Sequence, residues 1–202
     1  MSHDSVVLVG PRACGKNLVG EILASRSGLP FVDADAVFSQ LCNSSISNFR
    51  SKYGWTEFRR CETLTLENIC SSYPGARIIL AAGGGAVAHN DSELNRSRNV
   101  KLLREFGFLF YLLPYENLGM NAVILQYRVE LNASSALQRP TLTDIKDRYL
   151  EMLAVLKQRN DFYLKAAHHV LYTGRKSPEQ VADDICAIIR KETAPIPLAL
   201  TA

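Results

Sequence analysis

The stretch Gly10-Pro-Arg-Ala-Cys-Gly-Lys-Asn17 constrains this chain more than any other. It matches G-x-x-x-x-G-K, a loop whose backbone N–H groups curl around phosphate oxygens while the lysine reaches the β- and γ-phosphates. Such a loop needs a strand before it and a helix after it. Val6-Val-Leu-Val9 is a short, continuous apolar run of the kind buried in a parallel sheet. Beyond the loop, Leu18, Val19, Ile22 and Leu23 recur at helical spacing. The context therefore predicts nucleotide binding through Gly10, Arg12, Ala13, Cys14, Gly15, Lys16, Asn17 and Leu18. Arg12 has two readings, toward a phosphate or anionic substrate, or toward solvent. The motif calls for Ser or Thr at its last place to hold Mg²⁺, and Asn17 stands there instead.

The same alternation continues. Gly28-Leu-Pro30 ends the first helix, and Phe31-Val-Asp33 reads as a second strand. Helices are expected over Ala36–Cys42 and Glu57–Ser71, and a third strand over Arg77–Ala82, ending in Gly83-Gly-Gly85. Glu93–Phe106 reads as helix and Gly107–Leu113 as a fourth strand. Between Pro114 and Pro140 the pattern weakens, which suggests a mobile insertion. A long helix is expected over Thr143–Ala166, a fifth strand over His169–Tyr172, and a last helix from Ser177 to about Lys191. The tail 194–202 reads as frayed. Strands alternating with helices predict a three-layer α/β/α domain over 1–193 with a five-stranded parallel sheet. Ligands should then sit at the carboxyl ends of the strands.

Further groups fall where such a site would lie. Asp33 and Asp35, at i and i+2 on a strand, should project to one side, so that two carboxylates converge at the sheet edge. One would serve a Mg²⁺ shell and the other a hydroxyl about to be phosphorylated; alternatively, Asp35 caps the next helix. Arg59 and Glu62, at i and i+3 on a helix, form either a pre-organised carboxylate receptor or a surface ion pair. Gly83, Gly84 and Gly85 allow backbone to approach a ligand, or make a turn without one. Arg128 and Arg139-Pro140 bracket the insertion, and a lid arginine there would neutralise charge on a transferred phosphoryl group. Arg159 is a further candidate.

Composition narrows the rest. Five cysteines, odd in number and without a Cys-x-x-Cys pair, read as reduced thiols of a cytoplasmic protein. His3, His89, His168 and His169 lack metal-ligand spacing and read as surface or strand-edge residues. A net charge of +3 argues against a nucleic-acid surface, no apolar run approaches a membrane span, and no signal peptide is seen. A monomer is the plainest expectation.

Taken in order, these motifs resemble shikimate kinase from about Val6 to Ile189. The most specific are the Gly10–Asn17 loop, Phe31-Val-Asp-Ala-Asp35, Phe58-Arg59 with Glu62, Gly83–Gly85, Arg139-Pro-Thr-Leu142, and Arg159 with Tyr163. Their wording is nearest the second of two enterobacterial isoenzyme types. The resemblance implies a nucleoside-monophosphate-kinase-like fold with a mobile lid at about 128–143. It implies phosphorylation of the shikimate 3-hydroxyl by ATP with Mg²⁺, ATP and shikimate being the small-molecule partners. Lys16, Asp35 and Arg139 would be catalytic; Asn17 and Asp33 would hold the metal. Arg128, Arg139 and Arg175 would add to the ATP site. Asp35, Arg59, Gly83, Gly84, Gly85 and Arg159 would bind the acceptor. The chain departs from the family at Asn17, at Ala82 (often Thr), and in the length of Tyr115–Gln126. The competing expectations are a related sugar-acid kinase, or a degenerate homologue that binds ligand with weak turnover.

Overall fold

The computed structural model describes residues 5–131 and 145–193. Five parallel strands form one sheet in the order β2-β3-β1-β4-β5. These are β1 (Ser5–Val9), β2 (Phe31–Asp33), β3 (Ile79–Ala81), β4 (Gly107–Leu113) and β5 (His169–Tyr172). β1 lies at the centre, pairing Val6 with Ile79 on one side and with Phe108 on the other. All five of its residues are buried, as its unbroken apolar run requires.

The helices are α1 (Lys16–Ser27), α2 (Ala34–Leu41), α3 (Ile46–Ser72), α4 (Glu93–Phe106), α5 (Leu118–Leu131), α6 (Arg148–Ala166) and α7 (Pro178–Thr193). Their ends follow local chemistry. Ser45, Ser92 and Asp147 cap α3, α4 and α6 by accepting the N–H of Asn48, Asn95 and Leu150. Before α7, Ser177 and Gln180 each bond the other's backbone N–H, a capping box ahead of Pro178. The central core joins β1, β3 and β4 to the inner faces of the helices. A separate small core of Phe38, Phe49 and Phe58 ties α2 to α3, with ring centroids 5.1 to 5.2 Å from Phe38.

Several expectations are corrected. The chain from 118 to 131 is helix α5 rather than irregular insertion. Its buried face includes Asn121, while Met120, Val123, Tyr127 and Leu131 lie exposed, so the apolar period is blurred on both sides. α3 begins at Ile46 and bends at Gly54 (φ 79°, ψ 176°), 11 residues earlier than Glu57. α2 starts at Ala34, so Asp35 sits in a helical first turn and not on the strand. Asp33 is the cap, accepting the Asp35 N–H at 2.9 Å. The last residues of the lid (132–143), Arg139 among them, and the tail 194–202 lie outside the described residues.

Candidate active site

The carboxyl ends of β1, β2 and β3 open onto a cavity of about 300 Å³. The loop after β1 forms its floor. Gly10 has φ 146°, and a Cβ there would fall 2.5 Å from the Leu112 carbonyl oxygen, so only glycine fits that turn. Lys16 Nζ arches back over the loop to the carbonyls of Gly10 (2.8 Å) and Pro11 (3.0 Å). Arg12, Ala13, Gly15, Lys16, Asn17 and Leu18 all line the cavity. Cys14 is buried beneath the loop, its sulfur 3.7 Å from Lys16 Nζ. Arg128, from the last turns of α5, reaches over to line the cavity and donates to the Ala13 carbonyl at 3.4 Å.

Asp33 and Asp35 do share the cavity, for a different reason from strand alternation. The cap and the first turn of α2 set them side by side. Asn17 Nδ2 donates to Asp33 Oδ2 at 2.6 Å, which leaves the Asn17 side-chain carbonyl as the oxygen on its other side.

Another wall is built by α3. Arg59 is 2% exposed, and its Nη1 donates to Glu62 Oε2 at 2.7 Å, so the pair is a buried one and not a surface bridge. The guanidinium carbon lies 5.1 Å from the Trp55 ring centroid and 5.0 Å from that of Phe58. Burial pushes the Glu62 carboxyl up, against the pull of Arg59; the Asp35 carboxylate pushes it further. Between these acids runs the glycine turn after β3. A Cβ on Gly83 would meet Asp35 Oδ1 at 2.9 Å and Glu62 Oε1 at 3.0 Å, and one on Gly85 would meet both Arg59 Nη atoms at 2.6 Å. Gly84 and Gly85 line the main cavity, while Gly83 faces a small adjoining one.

α6 holds that turn in place. Arg159 and Tyr163, at i and i+4, share a face, and both the Tyr163 hydroxyl and Arg159 Nη1 donate to the Gly84 carbonyl. Burial pushes the Tyr163 phenol up to about 12, so it stays a donor at neutral pH. From the other side Asn99 Nδ2 donates to the Ala86 carbonyl at 2.9 Å. Arg175 is exposed in the turn after β5 and does not line the cavity. His89, expected at the surface, is 2% exposed; burial and the nearby Arg59 drive its pKa down to about 3.

Sequence reasoning missed Trp55, which lines the cavity, and Asp91, whose Oδ2 accepts from Arg59 Nε at 3.0 Å. Trp55 stands four residues before Arg59, a spacing that signals a stacked pair. Asp91 leaves no such signal, because 32 residues separate it from Arg59. The apolar walls Ile46, Val129, Met152 and Val155 were also unannounced.

A phosphate loop that follows the central strand of a 2-3-1-4-5 parallel sheet and lines one cavity with two carboxylates defines a P-loop phosphotransferase of the nucleoside-monophosphate-kinase-like class. Within that class, residues 12–190 match the shikimate kinase family. This chain belongs to that family. It is 32% identical over 189 residues to shikimate kinase 2 of Yersinia enterocolitica, covering 94% of this chain and 97% of that one. It is 34% identical over 194 residues to shikimate kinase 2 of Pectobacterium atrosepticum, covering 96% and 100%. The structure of shikimate kinase from Acinetobacter baumannii in complex with shikimate superposes with a TM-score of 0.79 at 25% identity, covering 96% of this chain and 97% of that one.

Proposed function

We propose that the protein transfers the γ-phosphoryl group of ATP to the 3-hydroxyl of shikimate. The observation that carries this reading is that one cavity is lined both by Lys16 with the phosphate loop and by Arg59, Glu62 and Arg159, with Asp35 among them. An anionic acceptor gripped by the two arginines would present a hydroxyl to Asp35 and face a phosphate held by Lys16. The A. baumannii enzyme's complex with shikimate supports that choice of acceptor.

In the transfer, the acceptor oxygen bonds to the γ-phosphorus while the bond to the β,γ-bridging oxygen breaks and ADP leaves. Asp35 takes the hydroxyl proton, and Lys16 offsets the charge on the phosphoryl oxygens. We assign the lid-arginine role to Arg139, and a second nucleotide contact to Arg128. Arg175 would stand beside the nucleotide base.

The donors at the loop also fit Mg²⁺. Asn17 and Asp33 offer hard oxygens at the cavity wall. Among the described residues no cluster of three or more metal-ligating side chains occurs. The ion would thus keep several waters and lean on ATP phosphates, where it would neutralise charge. The five free thiols and the use of ATP suit the cytoplasm. Among the described residues no helix is long and apolar enough to cross a membrane.

Coupled detection of ADP, with and without shikimate, tests the reading. The expected outcome is turnover that requires shikimate and Mg²⁺ and is absent with gluconate. Nucleotide binding without shikimate-dependent ADP release would overturn it.

A further inference from the structure

Arg59 is held by two carboxylates, and helical spacing accounts for only one of them. A guanidinium has five N–H donors in a rigid plane. Nη1 gives one to Glu62 Oε2 at 2.7 Å, and Nε gives its single hydrogen to Asp91 Oδ2 at 3.0 Å. The Nη end of the fork lies against the bare Cα of Gly85, a cavity-lining residue. The direction in which the remaining Nη hydrogens point is thus set by two acids from separate parts of the chain. Glu62 comes from α3 itself, and Asp91 from the loop just ahead of α4.

We infer that Asp91 is a positioning residue for the acceptor's carboxylate: by fixing Arg59 through Nε, it turns the rest of the fork toward the cavity. The inference rests on the reading of the Arg59 wall as a carboxylate receptor. A single bond at Nη1 leaves the guanidinium free to swing about that contact, whereas anchors at both Nη1 and Nε fix its plane. Asp91 does not line the cavity, so it acts through Arg59 and not on the substrate. His89 does not compete for it as a donor. Its Nδ1 lies 3.6 Å from Asp91 Oδ2 but already accepts the Ser92 N–H.

A second acid beside an anion receptor also repels the anion, so the sign must be decided. Asp91 is 31% exposed, and water screens its charge; Arg59 is 2% exposed, where losing the partner of a buried N–H is felt in full. Orientation outweighs repulsion.

The test is titration of shikimate against the fluorescence of Trp55, the only tryptophan of the chain, together with steady-state kinetics. Parent, Asp91→Ala, Asp91→Asn and Asp91→Glu are compared, each with its Tm. Asp91→Ala is expected to raise the Kd and KM for shikimate about tenfold, the cost of an unmade bond to a buried charged donor. The KM for ATP should stay in place. Asp91→Asn, which keeps an acceptor oxygen, should fall between, and Asp91→Glu should recover most of the affinity. Unchanged or tighter shikimate binding by Asp91→Ala would overturn the inference, as would parallel losses for ATP and shikimate. A parent that does not respond to shikimate at all would overturn the acceptor reading itself.

Discussion

His89 shows how the site's charge is tuned residue by residue. Arg59, Arg96 and Arg159 all oppose its protonation, and burial adds the largest push, so the imidazole stays neutral down to about pH 3. An unfolded chain takes up that proton near pH 6.5. The folded-state pKa is the lower one, so the associated stability is present above about pH 6.5 and is lost as pH falls toward 3. Urea unfolding at pH 7 and pH 4.5 should show the parent losing on the order of 2 kcal/mol more than His89→Gln. Equal losses would mean that His89 takes up its proton equally well folded and unfolded. Asn17 is the other residue whose chemistry is local. Its amide hydrogen on Asp33 does the donating that a hydroxyl would do, while its carbonyl would offer the proposed Mg²⁺ an oxygen further from the backbone.

At the scale of elements, α3 joins Ile46 to Trp55, Arg59 and Glu62 along the cavity wall through its bend. Gly54 adopts φ 79°, ψ 176°, a region that side chains scarcely enter, and a Cβ there would meet nothing within 4 Å. The constraint is therefore purely conformational. Gly54→Ala is expected to cost about 1–3 kcal/mol of stability. Because Trp55 follows directly, it should also raise the KM for shikimate more than that for ATP. A chemical melt alongside both KM values checks this; an unaltered melt would show that the bend relaxes into a form alanine accepts. α6 acts on the glycine turn in the same indirect way, through Tyr163 and Arg159 on one carbonyl.

On the proposed reading, the whole molecule combines a nucleotide half, built on the loop after the central strand, with an acceptor half built on α2, α3, α6 and the glycine turn. Ligand in the acceptor half should stabilise the entire fold. Shikimate at a hundredfold excess over its Kd should add about 2.7 kcal/mol, or roughly 5 to 10 °C in Tm for a chain of this length. Calorimetry of the parent and of Arg59→Ala at the same shikimate concentration tests it, the shift disappearing in the variant.

Much of this architecture is legible from local pattern. β4 and α4 fall where periodicity places them, because each has a whole run or one face committed to the core, and β5 does so although only Val170 and Leu171 pack, partly buried, against it. α5 is illegible because both of its faces carry apolar groups and a buried asparagine interrupts the inner one. In the site, Arg59 with Glu62 and Arg159 with Tyr163 are readable as helical spacings. The Asp91 contact is not, since only the folded chain brings residues 59 and 91 together. Asp33 and Asp35 converge as foreseen, but through a helix cap, a feature that strand alternation does not describe.

The small core of Phe38, Phe49 and Phe58 is packed apart from the central one. That separation has an evolutionary consequence. Substitutions among those rings reshape the wall beside Arg59 without disturbing the sheet that carries the phosphate loop. A lineage can thus drift toward a new acceptor acid while its phosphoryl donor stays the same.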